Sequence, residues 1–192
     1  MALFETDFPA VRACIFDMDG LLINTEDIIT LSTNQLLEKY GRPVFTRSIR
    51  AQLMGIPNST NGDIFHGWAK LPISREQFAR ESTENMRLHF PDCKPLPGAE
   101  KLLTNLSHAR SAPSGEKIEL ALASGTKTRS YGLKTSNPET EHLLSFFQHD
   151  RRVLGDDQRV QQGRGKPAPD LYLVALQSLN SGAGFKTIQF NQ

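Results

Sequence analysis

The feature that most constrains the fold is a short apolar run that ends abruptly in two aspartates, within Val11–Ile23 (VRACIFDMDGLLI). Apart from Arg12, the run up to Phe16 has no polar alternation, which is typical of a strand buried on both faces of a parallel sheet. Open α/β sheets carry their chemistry just beyond the carboxyl ends of such strands. The sequence therefore predicts an α/β fold with Asp17 and Asp19 at the mouth of the sheet.

Two acidic side chains and a glycine follow this strand. Carboxylates as close as Asp17 and Asp19 repel each other unless a proton or a cation lies between them, so the pair suggests a Mg²⁺ site. Gly20 permits a tight turn and a close approach of backbone N–H groups to a ligand. An Asp-Gly turn that simply ends a strand is the alternative, and this segment alone does not decide between the two.

The composition favours one globular core with at most a small inserted domain. The chain has 192 residues, of which 38% are hydrophobic and 22% charged, and its formal net charge is +1. That charge gives no field for steering the chain to nucleic acid or to an anionic membrane. No stretch approaches the length of a transmembrane helix, and the acidic start MALFETDFPA is unlike a signal peptide. With only Cys14 and Cys93, we expect no disulfide framework and a cytoplasmic location.

A block with a helical pattern separates the first strand from the next one. Its predicted helices are Thr25 to about Tyr40, 47–54, 63–69, and one that opens with the capping box Ser74-Arg75-Glu76-Gln77 and runs to about Phe90. A loop is predicted at Asn61-Gly62. We therefore expect residues 24–95 to form an inserted helical domain, and residues 1–23 and 96–192 to form the α/β core.

Two more strand candidates lead into polar residues. Ile118–Ala123 (IELALA) is a second buried strand and is followed directly by Ser124. Arg152-Val153-Leu154 is a third, and the loop beyond it holds Lys166. Because chemistry in such sheets gathers beyond the carboxyl ends of the strands, we expect the two aspartates, the serine hydroxyl and the lysine ammonium to lie together.

An acid pair, a hydroxyl and an ammonium suit phosphoryl transfer. Asp17 can attack phosphorus to form an aspartyl-phosphate, and Asp19 can protonate the leaving oxygen and then deprotonate the hydrolytic water. Ser124 and the neighbouring backbone, including Gly125, can bind phosphate oxygens, while Lys166 compensates negative charge. Structural alternatives stay open, since a serine here can cap the next helix and a loop lysine is more often solvated.

Three segments, FDMDGLL, ALASG and GRGKPAPD, resemble in order and spacing the first three motifs of the haloacid dehalogenase superfamily of phosphotransferases, over residues 16–170. The resemblance implies a Rossmann-like core with an α-helical cap, Asp17 as nucleophile and Asp19 as general acid/base. It also implies Mg²⁺ bound by the Asp17 carboxylate, the Asp19 backbone carbonyl and an acidic residue of a fourth motif. The segments LLINTE, LPGAEKLL, LKTS and LGDD are similar to the pseudouridine-5′-phosphatase and glycerol-3-phosphatase branch.

Four further residues are candidates for contact with a substrate under this resemblance. Asn24 and Glu26 occupy positions beside the site, although capping of the following helix explains them equally well. Met54 and Gly55 resemble a substrate-facing loop of the cap.

The fourth motif of the family is not recognisable. The tail ends in Phe190-Asn191-Gln192, with amides where the family carries acids. Asp156 and Asp157 imitate the motif, but in the topology that the resemblance implies their strand lies two places from the Asp17 strand, about 10 Å away, which is too far for a Mg²⁺ ligand. We therefore interpret them as acids of a structural turn, or as acids that support the site without binding the metal. We also expect a sheet that is incomplete at the C-terminus, an exposed apolar edge along the Asp17 strand and weak metal binding.

The sequence thus predicts a Mg²⁺-dependent phosphatase that acts on a small phosphate ester and has no nucleic-acid or membrane partner. Two alternatives stay open. One is a truncated, catalytically impaired homologue that binds ligands or partners, and the other is a phosphotransferase of phosphoglucomutase type. The particular substrate and the oligomeric state are not fixed by the sequence.

Overall fold

A computed structural model describes residues 11–53, 58–111 and 115–181, and their helices and parallel sheet confirm the predicted α/β class. The elements are β1 Ala13–Phe16, α1 Thr25–Lys39, α2 Arg47–Leu53, α3 Asn58–Ala69, α4 Arg75–His89, α5 Ala99–His108, β2 Glu119–Ala123, α6 Thr128–Lys134, α7 Pro138–Leu144, β3 Arg152–Val153 and α8 Asp170–Ser181. The described parts of Met1–Asn24 and Lys94–Gln192 form a first compact unit, and those of Thr25–Cys93 form a second. None of the described helices is long and apolar enough to cross a lipid bilayer.

The sheet of the first unit has three parallel strands in the order β1-β2-β3. Phe16 of β1 pairs with Leu122 of β2, and Ala123 of β2 pairs with Val153 of β3. The central strand β2 is buried after its first residue, which explains its continuous apolar sequence. In the part of the chain that is described, β1 is an outer strand and its residues are half-buried. This register brings the residues that follow β1 and β2 to the same edge of the sheet.

Helix α8 covers the sheet and fixes the loop that precedes it. The shared core consists of Ala121, Ala123, Val153, Leu171, Val174, Ala175 and Leu179, with Ala13 and Ile15 packed against it. Each fully buried Val or Leu side chain in such a core contributes about 1.5–3 kcal/mol relative to an exposed one. The strands and α8 are therefore held together by one shared apolar core.

The second unit is helical, as predicted, and has its own apolar cluster. That cluster consists of Leu37, Phe45, Leu53, Phe65 and Ala69. The predicted capping box is confirmed in part, since the Ser74 hydroxyl accepts a hydrogen bond of 3.1 Å from the backbone N–H of Gln77. The loop predicted at Asn61-Gly62 is wrong, because α3 runs through it. Phe65 and Ala69, one turn apart on α3, are both buried, and this packing outweighs the local turn preference.

Glu81 of α4 links the second unit's helices through a cluster of hydrogen bonds. Its carboxylate accepts from the Gln77 amide (2.9 Å), the Lys39 ammonium (2.9 Å) and the Tyr40 hydroxyl (2.8 Å). These donors, Gln77 first, lower the pKa of Glu81 from its ordinary value of 4.5 to about 2. A depressed carboxyl pKa stabilises the fold above the unfolded-state pKa, and that stability is lost as the pH falls toward the folded-state value.

We therefore expect Glu81→Gln to lower the melting temperature at pH 7 and to have a much smaller effect near pH 3. Melting followed by circular dichroism at both pH values measures this difference. Glu84→Gln is the matched control, because it removes an exposed carboxylate from the same helix. A Glu81→Gln deficit that is equal at the two pH values would contradict the assignment.

Candidate active site

A tight turn at the end of β1 presents the two aspartates. Gly20 adopts a φ of 71°, a left-handed conformation that favours glycine, and its N–H donates a 3.0 Å hydrogen bond to the carbonyl of Ile23. The predicted role of Gly20 in a tight turn is thus confirmed. The turn keeps Asp17 and Asp19 at the carboxyl end of the strand.

Asp17 is paired with Lys166. The ammonium Nζ lies 2.7 Å from Asp17 Oδ1, and the two side chains keep 34% and 31% exposure, so a ligand can reach both. The ammonium also lies 5.0 Å from the ring centroid of Tyr172, a cation–π contact. Burial lowers the pKa of Lys166, but its hydrogen bonds to Asp17 and Tyr172 outweigh burial and raise the pKa above its ordinary value. This lysine is therefore a fixed positive charge beside the Asp17 carboxylate.

Asp19 is held by three donors. The Lys134 ammonium lies 2.5 Å from Oδ1, while the hydroxyls of Ser124 (3.1 Å) and Thr126 (2.6 Å) donate to Oδ2. The same ammonium donates to the Thr126 hydroxyl at 2.8 Å. Burial raises the pKa of Asp19, but the charge of Lys134 and the three hydrogen bonds outweigh it, so the pKa lies below its ordinary value. Asp19 is therefore an ionised, oriented carboxylate.

The turn after β2 connects Asp19 to β3. Ser124 is fully buried, its N–H donates to the carbonyl of Val153 at 3.0 Å, and its hydroxyl accepts from the Thr126 N–H at 3.1 Å. The alternative that Ser124 caps the next helix is wrong, because Thr126 lies before α6, whose N-cap residue is Lys127. The hydrogen bond instead closes a local turn beside the contact with Asp19. Gly125 is exposed at the tip of the turn, and Gly155 approaches its carbonyl so closely that an added Cβ would lie 2.2 Å from the oxygen.

Ion pairs anchor the loop that carries Lys166. Arg164 Nε donates to Asp170 Oδ1, at the start of α8, at 2.6 Å. Arg159 joins Asp157 at 2.7 Å and donates to the Ser178 hydroxyl of α8 at 2.8 Å. Because α8 also packs on the sheet, these contacts place the lysine relative to the strand ends.

The two acids after β3 serve turns, as predicted. Asp156 Oδ1 accepts from both the N–H and the hydroxyl of Thr128, each at 2.9 Å, and so caps α6. These bonds, the backbone one first, lower the pKa of Asp156. Asp157 is bound by Arg159 and its pKa is likewise lowered. Both carboxylates therefore have structural partners.

The two described candidates for substrate contact, Asn24 and Glu26, each have a structural partner. The Asn24 side chain accepts from the Lys94 N–H at 2.7 Å and its own N–H donates to the Lys94 carbonyl at 3.0 Å, so it ties together two segments of the first unit. Glu26, in the second unit, forms an ion pair with Arg50. Met54 and Gly55 lie outside the described residues, as does the tail Phe190-Asn191-Gln192.

Sequence reasoning missed Thr126 and Lys134. A threonine three residues after the end of a strand is common in turns, and a lysine in the last turn of a short helix normally complements the helix dipole in solvent. Lys134 instead is only 6% exposed and reaches back to Asp19. The sequence signal that could have identified Lys134 is the segment LKTS, which contains it and resembles the pseudouridine-5′-phosphatase and glycerol-3-phosphatase branch.

The site offers two oxygen ligands of the kind that Mg²⁺ prefers. Within the described residues, no group of three or more His, Cys, Asp and Glu side chains could hold a metal ion. Mg²⁺, however, is commonly bound by one or two carboxylates together with water and substrate phosphate. The half-exposed carboxylate of Asp17 and the carbonyl of Asp19 therefore suit this ion.

Comparisons with known proteins agree with this geometry. A model of the haloacid dehalogenase-like hydrolase family matches residues 14–184. A probable pseudouridine-5′-phosphatase of Saccharomyces cerevisiae is 37% identical over 89% of the chain and 68% of its own length. An uncharacterised protein of Schizosaccharomyces pombe is 36% identical over 88% of the chain and 64% of its own length. The chain thus spans about two thirds of these curated relatives.

A solved structure shares the architecture. The crystal structure of a candidate beta-phosphoglucomutase from Thermotoga maritima superposes with a TM-score of 0.62, at 30% identity. The match covers 88% of this chain and 71% of that one.

Proposed function

This chain belongs to the haloacid dehalogenase-like hydrolases, and we propose that it hydrolyses the phosphate monoester of a small metabolite through an aspartyl-phosphate on Asp17. The observation that carries the proposal is the pairing of each aspartate with its own lysine. Lys166 lies 2.7 Å from Asp17 and Lys134 lies 2.5 Å from Asp19. The pairing separates an accessible nucleophile from a partly buried, oriented carboxylate, and these are the two roles that the reaction needs.

The proposed reaction has two displacements at phosphorus. In the first, Asp19 takes up a proton from solvent, an Asp17 carboxylate oxygen bonds to phosphorus, the ester P–O bond breaks, and Asp19 gives that proton to the departing alkoxide. In the second, a water oxygen bonds to phosphorus as the bond to Asp17 breaks, and Asp19 takes a proton from the water. Inorganic phosphate then leaves, Asp19 releases its proton to solvent, and both aspartates return to their starting state. Lys166 neutralises charge that accumulates on the phosphoryl oxygens.

Mg²⁺ fits this proposal as the cofactor. The Asp17 carboxylate and the Asp19 backbone carbonyl would hold it, and when bound it would neutralise charge on the phosphate. Lys166 already supplies one positive charge at the carboxylate. We therefore expect phosphate-ester turnover to rise with added Mg²⁺ and to fall with EDTA.

The family relatives support a small phosphate ester as substrate, and pseudouridine 5′-phosphate is the first compound to try because of the yeast relative's name. We propose a cytoplasmic location. The sequence has only two cysteines, Cys14 and Cys93, and proteins of a reducing compartment rarely depend on disulfides.

Release of inorganic phosphate from pseudouridine 5′-phosphate, glycerol 3-phosphate and p-nitrophenyl phosphate tests the proposal. With Mg²⁺ present, we expect turnover of at least one ester, and acid-quenched samples incubated with labelled substrate should carry label on Asp17. Transfer of label to the hydroxyl of an added hexose phosphate, in place of release as inorganic phosphate, would indicate the phosphoglucomutase-type transfer. A folded chain that turns over none of the three would favour a non-catalytic binding protein.

A further inference from the structure

We propose that Lys134 is a positioning residue that fixes the Asp19 carboxylate for proton exchange with the leaving alcohol. The inference rests on the proposed function and assigns a role to the segment LKTS. Lys134 is the last residue of α6, and its side chain is 7% exposed. It lies against the general acid/base, whereas Lys166 lies against the nucleophile.

The cost of burying this lysine argues for a role at the site. Removing an ammonium from water is unfavourable unless a charge and further hydrogen bonds compensate it, and an apolar side chain of similar size often serves stability as well. The partners of this ammonium include Asp19 and Thr126, both at the end of the sheet where the aspartates lie. The buried charge therefore acts on Asp19.

The geometry also leaves Asp19 able to exchange a proton. An ionised carboxylate has about four acceptor positions on its two oxygens. Among the described residues, Ser124 and Thr126 occupy two on Oδ2 and Lys134 occupies one on Oδ1. One acceptor position remains on Oδ1, in an orientation set by Lys134. We assign the proton exchange to that position.

Leaving groups of different basicity separate positioning from a general loss of structure. p-Nitrophenolate departs readily without protonation, whereas the alkoxide of glycerol 3-phosphate needs a proton. Because general acid catalysis contributes about 10²–10⁴-fold, we expect Lys134→Met to lower kcat/KM for glycerol 3-phosphate by about tenfold or more, and for p-nitrophenyl phosphate by less than about threefold. kcat/KM reports the steps up to the loss of the alcohol, so the later hydrolysis does not enter.

Lys127→Met is the matched control, because it removes an exposed lysine immediately before the same helix. We expect it to leave both kcat/KM values unchanged. If Lys134→Met does not fold, Lys134→Gln, which keeps a hydrogen-bond donor, gives the same comparison. Equal losses on the two esters, or a larger loss on p-nitrophenyl phosphate, would overturn the inference.

A second measurement does not depend on turnover. Asp19→Asn and Lys134→Met are combined in a double-mutant cycle, and we expect their shifts in melting temperature not to add, whereas Asp19→Asn and Lys127→Met add. If the wild-type chain hydrolyses neither ester, the proposed function is wrong. The cycle then tests only whether Lys134 and Asp19 interact. Additive shifts for the Asp19 and Lys134 pair would overturn the inference in either case.

Discussion

Replacement of Asp17 by asparagine is expected to lower kcat for phosphate-ester hydrolysis by about 10³-fold or more. The amide oxygen is a poor nucleophile and cannot form the acyl phosphate that water cleaves. The variant should nevertheless stay folded. The side chains of Asp17 and Lys166 are each about one-third exposed, so their ion pair contributes at most about 1 kcal/mol to stability.

Phosphate release under saturating substrate, with melting temperature measured on the same preparation, checks this expectation. Asp150→Asn is the control, because it neutralises an exposed carboxylate of the first unit. Wild-type activity in the control together with loss in Asp17→Asn would locate the effect at the end of β1. Turnover of Asp17→Asn within tenfold of wild type would mean that the phosphoryl group is not carried by this residue.

The strands could be predicted because the burial of a strand is visible in the few consecutive residues that form it. β2 lies between two strands and has side chains buried on both faces, so it appears as the unbroken apolar run ELALA. β3 has only two residues, Arg152 and Val153, but Gly155 follows shortly after and indicates the turn at which the strand ends. In contrast, Asn61-Gly62 predicts a loop because the turn preference of these two residues is also a local signal. The packing of α3 on the second unit's cluster depends on residues far apart in the sequence, so the local signal does not reveal it.

The site was predictable to the extent that strand ends define it. Asp17, Ser124 and Lys166 each follow a strand candidate, and the parallel topology alone brings such positions together. Lys134 could not be found in this way, because it is the last residue of a helix. Its ammonium reaches Asp19 only through the folded position of α6. A residue such as Lys134, which acts through Asp19, does not follow a strand, so the pattern of strand ends does not identify it.

Gly155→Ala is expected to destabilise the fold by about 3 kcal/mol and to lower the melting temperature by roughly 10 °C. A Cβ at this position would lie 2.2 Å from the carbonyl oxygen of Gly125 and 2.8 Å from its carbonyl carbon. Both are backbone atoms, so relief requires a shift of the chain. The shift would also strain the 2.9 Å hydrogen bond from the Gly155 N–H to the Thr126 carbonyl.

The same shift should reach the chemistry, because Thr126 also binds Asp19 at 2.6 Å. We therefore expect the folded fraction of Gly155→Ala to have a reduced kcat at temperatures well below its melting point. Gly132→Ala is the matched control: Gly132 lies inside α6 with nothing within 4 Å of an added Cβ, so alanine there should be neutral or stabilising by up to about 1 kcal/mol. Melting curves and phosphate release on the two variants distinguish the outcomes. If Gly155→Ala melts within about 2 °C of Gly132→Ala, less than 1 kcal/mol separates the two variants, and the close contact between the turns after β2 and β3 does not constrain the site.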